Sequence, residues 1–519
     1  MNRNRSRHRR RIGLRAAALI ALTALFAGAA PAAHAAPANI DPNVERSLTL
    51  VKHTSPTVAS APTGDGGEWA GPPEGAAPLE GVTLRIQQVT QLDGAPLDLM
   101  RTESWDALRP YLEGSRAFDP AAPGTMLAEG SEKDTAADGS VTWRGAELPL
   151  GAYWVTETAP GLHYIVDPIV PFLITVPATT TTSGTWNYDV HAYPKNTVAT
   201  ADKTVDDWQA HALGDLVEWI ITAEIPANPS HGVNLTEFFI VDHLPTGVRY
   251  EDGTAEPIVA EHALQADPRQ LDPREYTIEH VDGTVTMRLT ADGLDNVGTA
   301  IARTGGKLVF SFKTRLVGLG DANGTLRNEA EVTINQARIP VEAETLVGPA
   351  RIIKHAAGDR SKLLDGAEFQ LFLSEGEAQA ASARVADRGA IEHAVSVLVD
   401  GEMRDTFVTG AAGIEGEVLI PGLKASAEGI SYWVVETRAP AGYQRQADVY
   451  EVVVTAQATP EGTATVTVEN EQVPPLELPP TGSIASTIAI TLAATLFAGA
   501  IVFAVIATRA RMRRERAEA

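Results

Sequence analysis

Leu326-Arg327-Asn328-Glu329-Ala330-Glu331-Val332-Thr333-Ile334 alternates apolar and polar residues with a period of two, the pattern of a strand that turns one face to a core. The apolar face, Leu326, Ala330, Val332 and Ile334, also contains Asn328. An amide is therefore expected inside. By the same parity Asp242 shares a face with Phe238, Ile240 and Leu244, and Lys203 lies between Ala201 and Val205. One core is expected to hold a lysine, an acid and an amide, and a buried charge must neutralise, pair or react.

The pattern recurs on both sides of this stretch. Towards the C-terminus Lys354 shares a face with Ile352, Glu436 with Tyr432 and Val434, and Asn470 with Val466 and Val468. Towards the N-terminus Lys52 shares a face with Leu48 and Leu50, Glu157 with Tyr153 and Val155, and Asn196 with Val190 and Ala192. Burial lowers the pKa of a lysine and raises that of a carboxyl group, leaving an uncharged amine beside a protonated acid. Such an amine can attack the asparagine carboxamide carbon while the acid polarises its oxygen and shuttles protons. Ammonia leaves, and an intramolecular isopeptide bond remains. An ordinary buried salt bridge with a neighbouring amide is the alternative reading of each set.

Between these strands run short alternating segments separated by Gly, Pro, Asn and Asp, which indicates an all-β chain of tandem sandwiches. One short helix is expected over Arg101 to Leu112, with Trp105, Leu108 and Leu112 on its apolar face. Tyr153-Trp154-Val155-Thr156-Glu157-Thr158-Ala159-Pro160 returns as Tyr432-Trp433-Val434-Val435-Glu436-Thr437-Arg438-Ala439-Pro440. The domains carrying these copies are expected to be related, with an unlike domain between them. The expected organisation is a signal peptide over 1–35, domains over 36–199, 200–348 and 349–473, and a sorting and membrane segment over 474–519.

Length and composition agree with this division. At 519 residues the chain accommodates several domains, and its net charge of −24 argues against a nucleic-acid partner. The two ends carry twelve of its 42 basic residues and two of its 66 acidic ones, so the body is more acidic still. Cysteine is absent, which excludes disulfides, Cys-ligated zinc and a Cys nucleophile. The histidines form no HExxH or HxH pattern, and GxSxG and P-loop motifs are missing; no metal, cofactor or enzymatic role is expected.

The ends read as addresses. A basic stretch, Arg3 to Arg15, precedes the apolar run Ala16 to Ala30 and the small-x-small site Ala33-His34-Ala35, the layout of a cleaved secretory signal. Ser483 to Ala507 is uncharged and long enough to span a bilayer, and five arginines from Arg509 to Arg516 hold the tail in the cytoplasm. Immediately before it stands Leu478-Pro479-Pro480-Thr481-Gly482, preceded by Pro474-Pro475-Leu476-Glu477.

This LPxTG motif, apolar run and basic tail together resemble the cell-wall sorting signal of Gram-positive surface proteins. The resemblance implies cleavage by a sortase between Thr481 and Gly482, and attack of an amine on the acyl-enzyme. The lysine, acid and asparagine sets resemble those of the isopeptide-forming, Ig-like Cna domains. The middle domain resembles the CnaA type, with Lys203, Asp242 and Asn328 matching its reactive residues. The third resembles the CnaB type, with Lys354, Asn470 and Glu436, and Tyr432 to Tyr443 as its E-box. Lys52, Asn196 and Glu157 are the corresponding candidates in the first.

Trp186-Asn187-Tyr188-Asp189-Val190-His191-Ala192-Tyr193-Pro194-Lys195 is similar to the pilin motif WxxxVxVYPK, with Ala192 in place of the second valine. Lys195 shares parity with Asp189 and His191 and is expected to face outward, held by Pro194. The resemblance to sortase-assembled shaft pilins of the SpaA and FimP type implies a covalent fimbria on the cell wall, Lys195 of one subunit joined to Thr481 of the next. It further implies as partners a pilus-specific sortase, identical subunits, an accessory tip pilin, and peptidoglycan reached through a housekeeping sortase. A wall-anchored adhesin that binds a host protein or glycan without polymerising is the alternative.

Overall fold

The computed structural model describes residues 39–56, 66–69, 71, 75–179, 185–229, 232–261, 268–456, 463–476 and 484–515. The expected signal peptide and Leu478, Pro479, Pro480, Thr481 and Gly482 lie outside the described residues. The chain divides into two compact units, 1–198 and 199–519.

In the first unit the opening strand, Ser47–Val51, buries every second residue. It pairs in parallel with Asp189–Ala192, Leu48 beside Val190, and antiparallel with Ser140–Arg144, Leu48 beside Trp143. The facing sheet is built on Thr83–Leu92 and Gly151–Ala159, with Phe172–Val176 on the far side of the latter. Between the layers lie Leu48, Leu50, Leu84, Ile86, Trp143, Tyr153, Val155 and Val190. Burying each large apolar side chain contributes about 1.5–3 kcal/mol. The helix forms over Thr102–Leu112 and buries Leu108, but Leu112 is 43% exposed. Tyr111, one residue earlier, packs against the core cluster with Trp105. The reading of its apolar face is corrected there by one residue.

The second unit holds two sandwiches. In the middle one, Thr200–Asp206, Leu216–Ile225 and Gly306–Leu316 form one sheet, and Phe238–His243, Thr284–Leu289 and Thr325–Ile334 belong to the other. The strand Ala337–Ala356 then serves both sandwiches. Its first half pairs with Thr325–Ile334, and its second half pairs with Glu417–Lys424 and, in parallel, with Ala464–Asn470. The expected boundary at 348/349 thus falls inside a continuous strand. Glu368–Phe372, Ile430–Arg438 and Val449–Val454 face it across the third core.

The first and third sandwiches share one plan, an opening strand flanked by a parallel closing strand and an antiparallel one. Both carry the same bend beside the lysine. Lys52 N–H donates to Gly139 O and Lys354 N–H to Gly416 O. Both glycines have positive φ, and a Cβ on them would lie 2.2 Å from Lys52 O and 2.8 Å from Lys354 O. Only glycine fits such a left-handed, crowded turn.

Two further helices, Ala291–Ile301 and Glu375–Ala386, were not expected. Each opens on a side-chain cap, Thr290 accepting from Gly293 N–H and Ser374 from Glu377 N–H, a start signal stronger than their short apolar periodicity. The C-terminal helix Ile484–Glu515 contains Ile488–Arg513, which is long and apolar enough to cross a membrane.

Candidate functional site

In the third sandwich the parallel pairing places Asn470 beside Ala356, two residues beyond Lys354. Lys354, Asn470 and Glu436 are each 0% exposed. Glu436 enters from the facing sheet: its Oε1 accepts from Asn470 Nδ2 at 2.8 Å and lies 3.7 Å from Lys354 Nζ, while Gln446 N–H donates to Oε2. Lys354 Nζ also donates to Val468 O. Burial lowers the Lys354 pKa to about 8 against the attraction of Glu436, and burial raises that of Glu436.

The first sandwich repeats this with the same offset, Asn196 lying beside Thr54, two residues beyond Lys52. Lys52 Nζ is 2.5 Å from Asn196 Oδ1 and 2.9 Å from Glu157 Oε2. Asn196 Nδ2 donates to both Glu157 oxygens at 3.0 and 2.9 Å. Lys52 and Asn196 are fully buried, and burial lowers the lysine pKa to about 8.

The middle sandwich reaches the same grouping by another route. Asp242 and Asn328 lie on adjacent strands of one sheet, Asp242 beside Ala330, and Lys203 comes from the opposite sheet to meet Asp242 Oδ2 at 2.6 Å. Lys203 is 4% exposed, and Asp242 and Asn328 are fully buried. Asn328 lies close enough to Asp242 to oppose the rise of its pKa, yet among the described residues neither amide atom reaches full hydrogen-bond geometry with a partner, a state that costs about 1–3 kcal/mol per group. Burial lowers the lysine pKa and raises that of Asp242, each opposed by the other's charge. The indole of Trp219 lies 5.5 Å from the ammonium.

The choice of acid follows from which side chain crosses the gap between sheets, roughly 10 Å. In the first and third sandwiches lysine and asparagine share a sheet and the acid crosses, so the longer glutamate serves. In the middle one the lysine crosses, and the shorter aspartate is already beside the amide. In all three an amine of lowered basicity, a carboxyl group and a carboxamide meet away from water, which is the grouping that amide exchange with loss of ammonia requires.

Lys195 stands on the other side of the sheet from Asn196. It is half-buried rather than turned fully to water: its Nζ lies 5.7 Å from the Trp69 ring, and partial burial lowers its pKa. Trp69 and Tyr193 stack at 4.2 Å, and His53, beside Lys195 across the parallel pair, stacks on both at 5.5 and 6.1 Å. Parity alone could not reveal this shelter, because Trp69 comes from a Gly- and Pro-rich stretch without periodicity. Gln446 and Val468, which contact Glu436 and Lys354 through their backbones, were likewise invisible in side-chain patterns.

The family model of the Gram-positive pilin subunit D1, N-terminal domain, matches residues 45–197, and that of the SpaA prealbumin-like fold domain matches 349–472. The chain is 27% identical over 500 residues to fimbrial subunit type 1 of Actinomyces viscosus, covering 88% of this chain and 89% of the relative. It is 28% identical over 525 residues to fimbrial subunit type 2 of Actinomyces naeslundii, covering 91% and 92%. Its fold is similar to that of the major pilin SpaD of Corynebacterium diphtheriae (TM-score 0.61, 24% identity, 84% of this chain and 99% of the other). It is also similar to that of FimP of Actinomyces oris (TM-score 0.53, 23% identity, 84% and 99%). Pilin-type models thus match both flanking sandwiches, and the chain is similar to Gram-positive fimbrial subunits over nearly its whole length.

Proposed function

We propose that this chain is the shaft subunit of a covalent surface fimbria, each copy joined through Lys195 to Thr481 of the next by a sortase and locked internally by Lys52–Asn196, Lys203–Asn328 and Lys354–Asn470 bonds. The observation that carries the reading is that consecutive residues, Lys195 and Asn196, face opposite sides of one strand, the first towards the surface and the second in the core. Glu157, Asp242 and Glu436 are the promoting acids. In each internal bond the lysine amine displaces the asparagine amide nitrogen, one C–N bond replaces another, and one ammonia departs.

The load path explains why the bonds sit where they do. Tension entering at Thr481 passes back to Asn470, crosses to Lys354, and runs along the strand shared by the two sandwiches. It crosses again from Asn328 to Lys203 and leaves at Lys195. Residues 204–327 and 355–469 carry none of it. The first sandwich lies outside this path, so its bond serves to hold the strand that bears Lys195.

The exported body reaches the surface through its leader and is retained by its apolar helix until a sortase acts on the sorting motif. A tip pilin and wall peptidoglycan complete the set of partners. Co-expression with the cognate sortase tests the reading. Lys195→Ala abolishes the high-mass ladder while monomers are still exported and folded; an unchanged ladder would refute the linkage and favour a wall-anchored adhesin that stays monomeric.

A further inference from the structure

We propose that the proline-rich stretch Pro474–Pro480 of one subunit docks, as a polyproline II helix, on the aromatic surface beside Lys195 of the next. The proposal rests on the Lys195–Thr481 linkage above and adds a non-covalent seat to it.

The surface is built from rings. Trp69 and Tyr193 are partly exposed and stacked face to face, and Trp69 N–H donates to the Tyr193 hydroxyl. His53 closes the stack from below at 2% exposure, and among the described residues neither of its ring nitrogens has a hydrogen-bond partner. The matching histidine of the third sandwich, His355, does have one, its Nδ1 lying 2.8 Å from Ala356 O. In the same comparison Glu469 occupies the position of Lys195, since each stands beside its histidine in the parallel pair. The aromatic stack and the unpartnered imidazole therefore accompany the lysine and not the fold.

The occupant is identified by chemistry and reach. Pro474-Pro475-Leu476-Glu477-Leu478-Pro479-Pro480 contains four prolines, which favour the extended helix that aromatic-lined grooves recognise with little loss of entropy. Proline lacks an N–H, so such a ligand is held mainly by apolar contact of its rings with the exposed faces of Trp69 and Tyr193. Among the described residues the last backbone hydrogen bond to the third sandwich is Val473 N–H to Gly442 O. Beyond it Leu476 is 84% exposed. Once Thr481 is joined to Lys195 Nζ, 5.7 Å from the Trp69 ring, a rise of about 3.1 Å per residue brings Pro480 and Pro479 onto the Trp69–Tyr193 stack. The tether makes docking intramolecular, at an effective concentration in the millimolar range.

The test is fluorescence polarisation of a labelled synthetic peptide of residues 473–481 titrated with the full-length chain in detergent micelles. Saturable binding is expected, weakened at least tenfold by Trp69→Ala in the chain and, independently of its folding, by replacing all four prolines of the peptide with alanine. No saturable binding, or equal binding of the alanine peptide, overturns the docking even if Lys195→Ala abolishes the ladder. Binding that persists while Lys195→Ala leaves the ladder intact overturns the linkage instead.

Discussion

Asn328→Ala removes the carboxamide of the middle sandwich and with it the proposed covalent shortcut between the strands Thr200–Asp206 and Thr325–Ile334. The variant leaves Lys203 paired with Asp242 at 2.6 Å, so the fold retains its buried charge balance and the comparison isolates the cross-link. Two magnitudes follow. The closed loop exceeds 100 residues, and by the chain-entropy treatment of cross-links its loss lowers stability by about 4.7 kcal/mol. Under tension applied between Lys195 and the C-terminal end, the ~125 residues between Lys203 and Asn328 become free to extend at about 3.4 Å each, a lengthening of roughly 400 Å. Single-molecule force spectroscopy reads this directly: the wild-type chain shows no unfolding step for the middle sandwich, and the variant shows one of that length. A wild-type chain that gives the same step would refute the cross-link, and a variant that gives none would refute the load path.

The pH response separates bonded from unbonded lysine in the third sandwich. In Asn470→Ala the Lys354 amine stays free at a folded pKa of about 8 against 10.5 unfolded. Between these values the unfolded chain binds the extra proton, so stability increases by roughly 2–3 kcal/mol from pH 8 to 10.5. The wild type, its Nζ an amide under the proposed bond, is expected to show no such rise in denaturant titrations. Glu436→Gln keeps the shape of the site but removes its acid, and intact mass rises by one ammonia beyond the substitution itself, with the other two bonds unaffected. Tyr432→Phe deletes the hydroxyl that donates to His211 O and Lys424 O, where the middle and third sandwiches meet; calorimetry shows a loss of about 1 kcal/mol and a poorer coupling of their transitions.

The inward placement of the asparagines and lysines was legible because strand parity is rigid: a polar residue two positions from buried apolar ones has no other face to occupy. Asn328, Asn470 and Asn196 are each fully buried, as alternation requires. Tertiary coverage was not legible. Lys195 faces away from the core as its parity dictates, yet Trp69, from a segment whose sequence has no period, stacks on Tyr193 and shelters the amine. The shared strand Ala337–Ala356 was also hidden, because a change of pairing partner leaves no mark on alternation and the sequence around Gly348 resembles a linker. Helices Ala291–Ile301 and Glu375–Ala386 were missed because their start signals are the caps Thr290 and Ser374 rather than a long apolar face.

The most direct measurement is the intact mass of the exported wild-type body, followed by peptide mapping across each pair. Lys52–Asn196, Lys203–Asn328 and Lys354–Asn470 bonds together lower the mass by three ammonia molecules and yield three branched peptides. A mass equal to that of the unmodified sequence, with Asn328 and Asn470 recovered as ordinary amides, would contradict the internally bonded shaft.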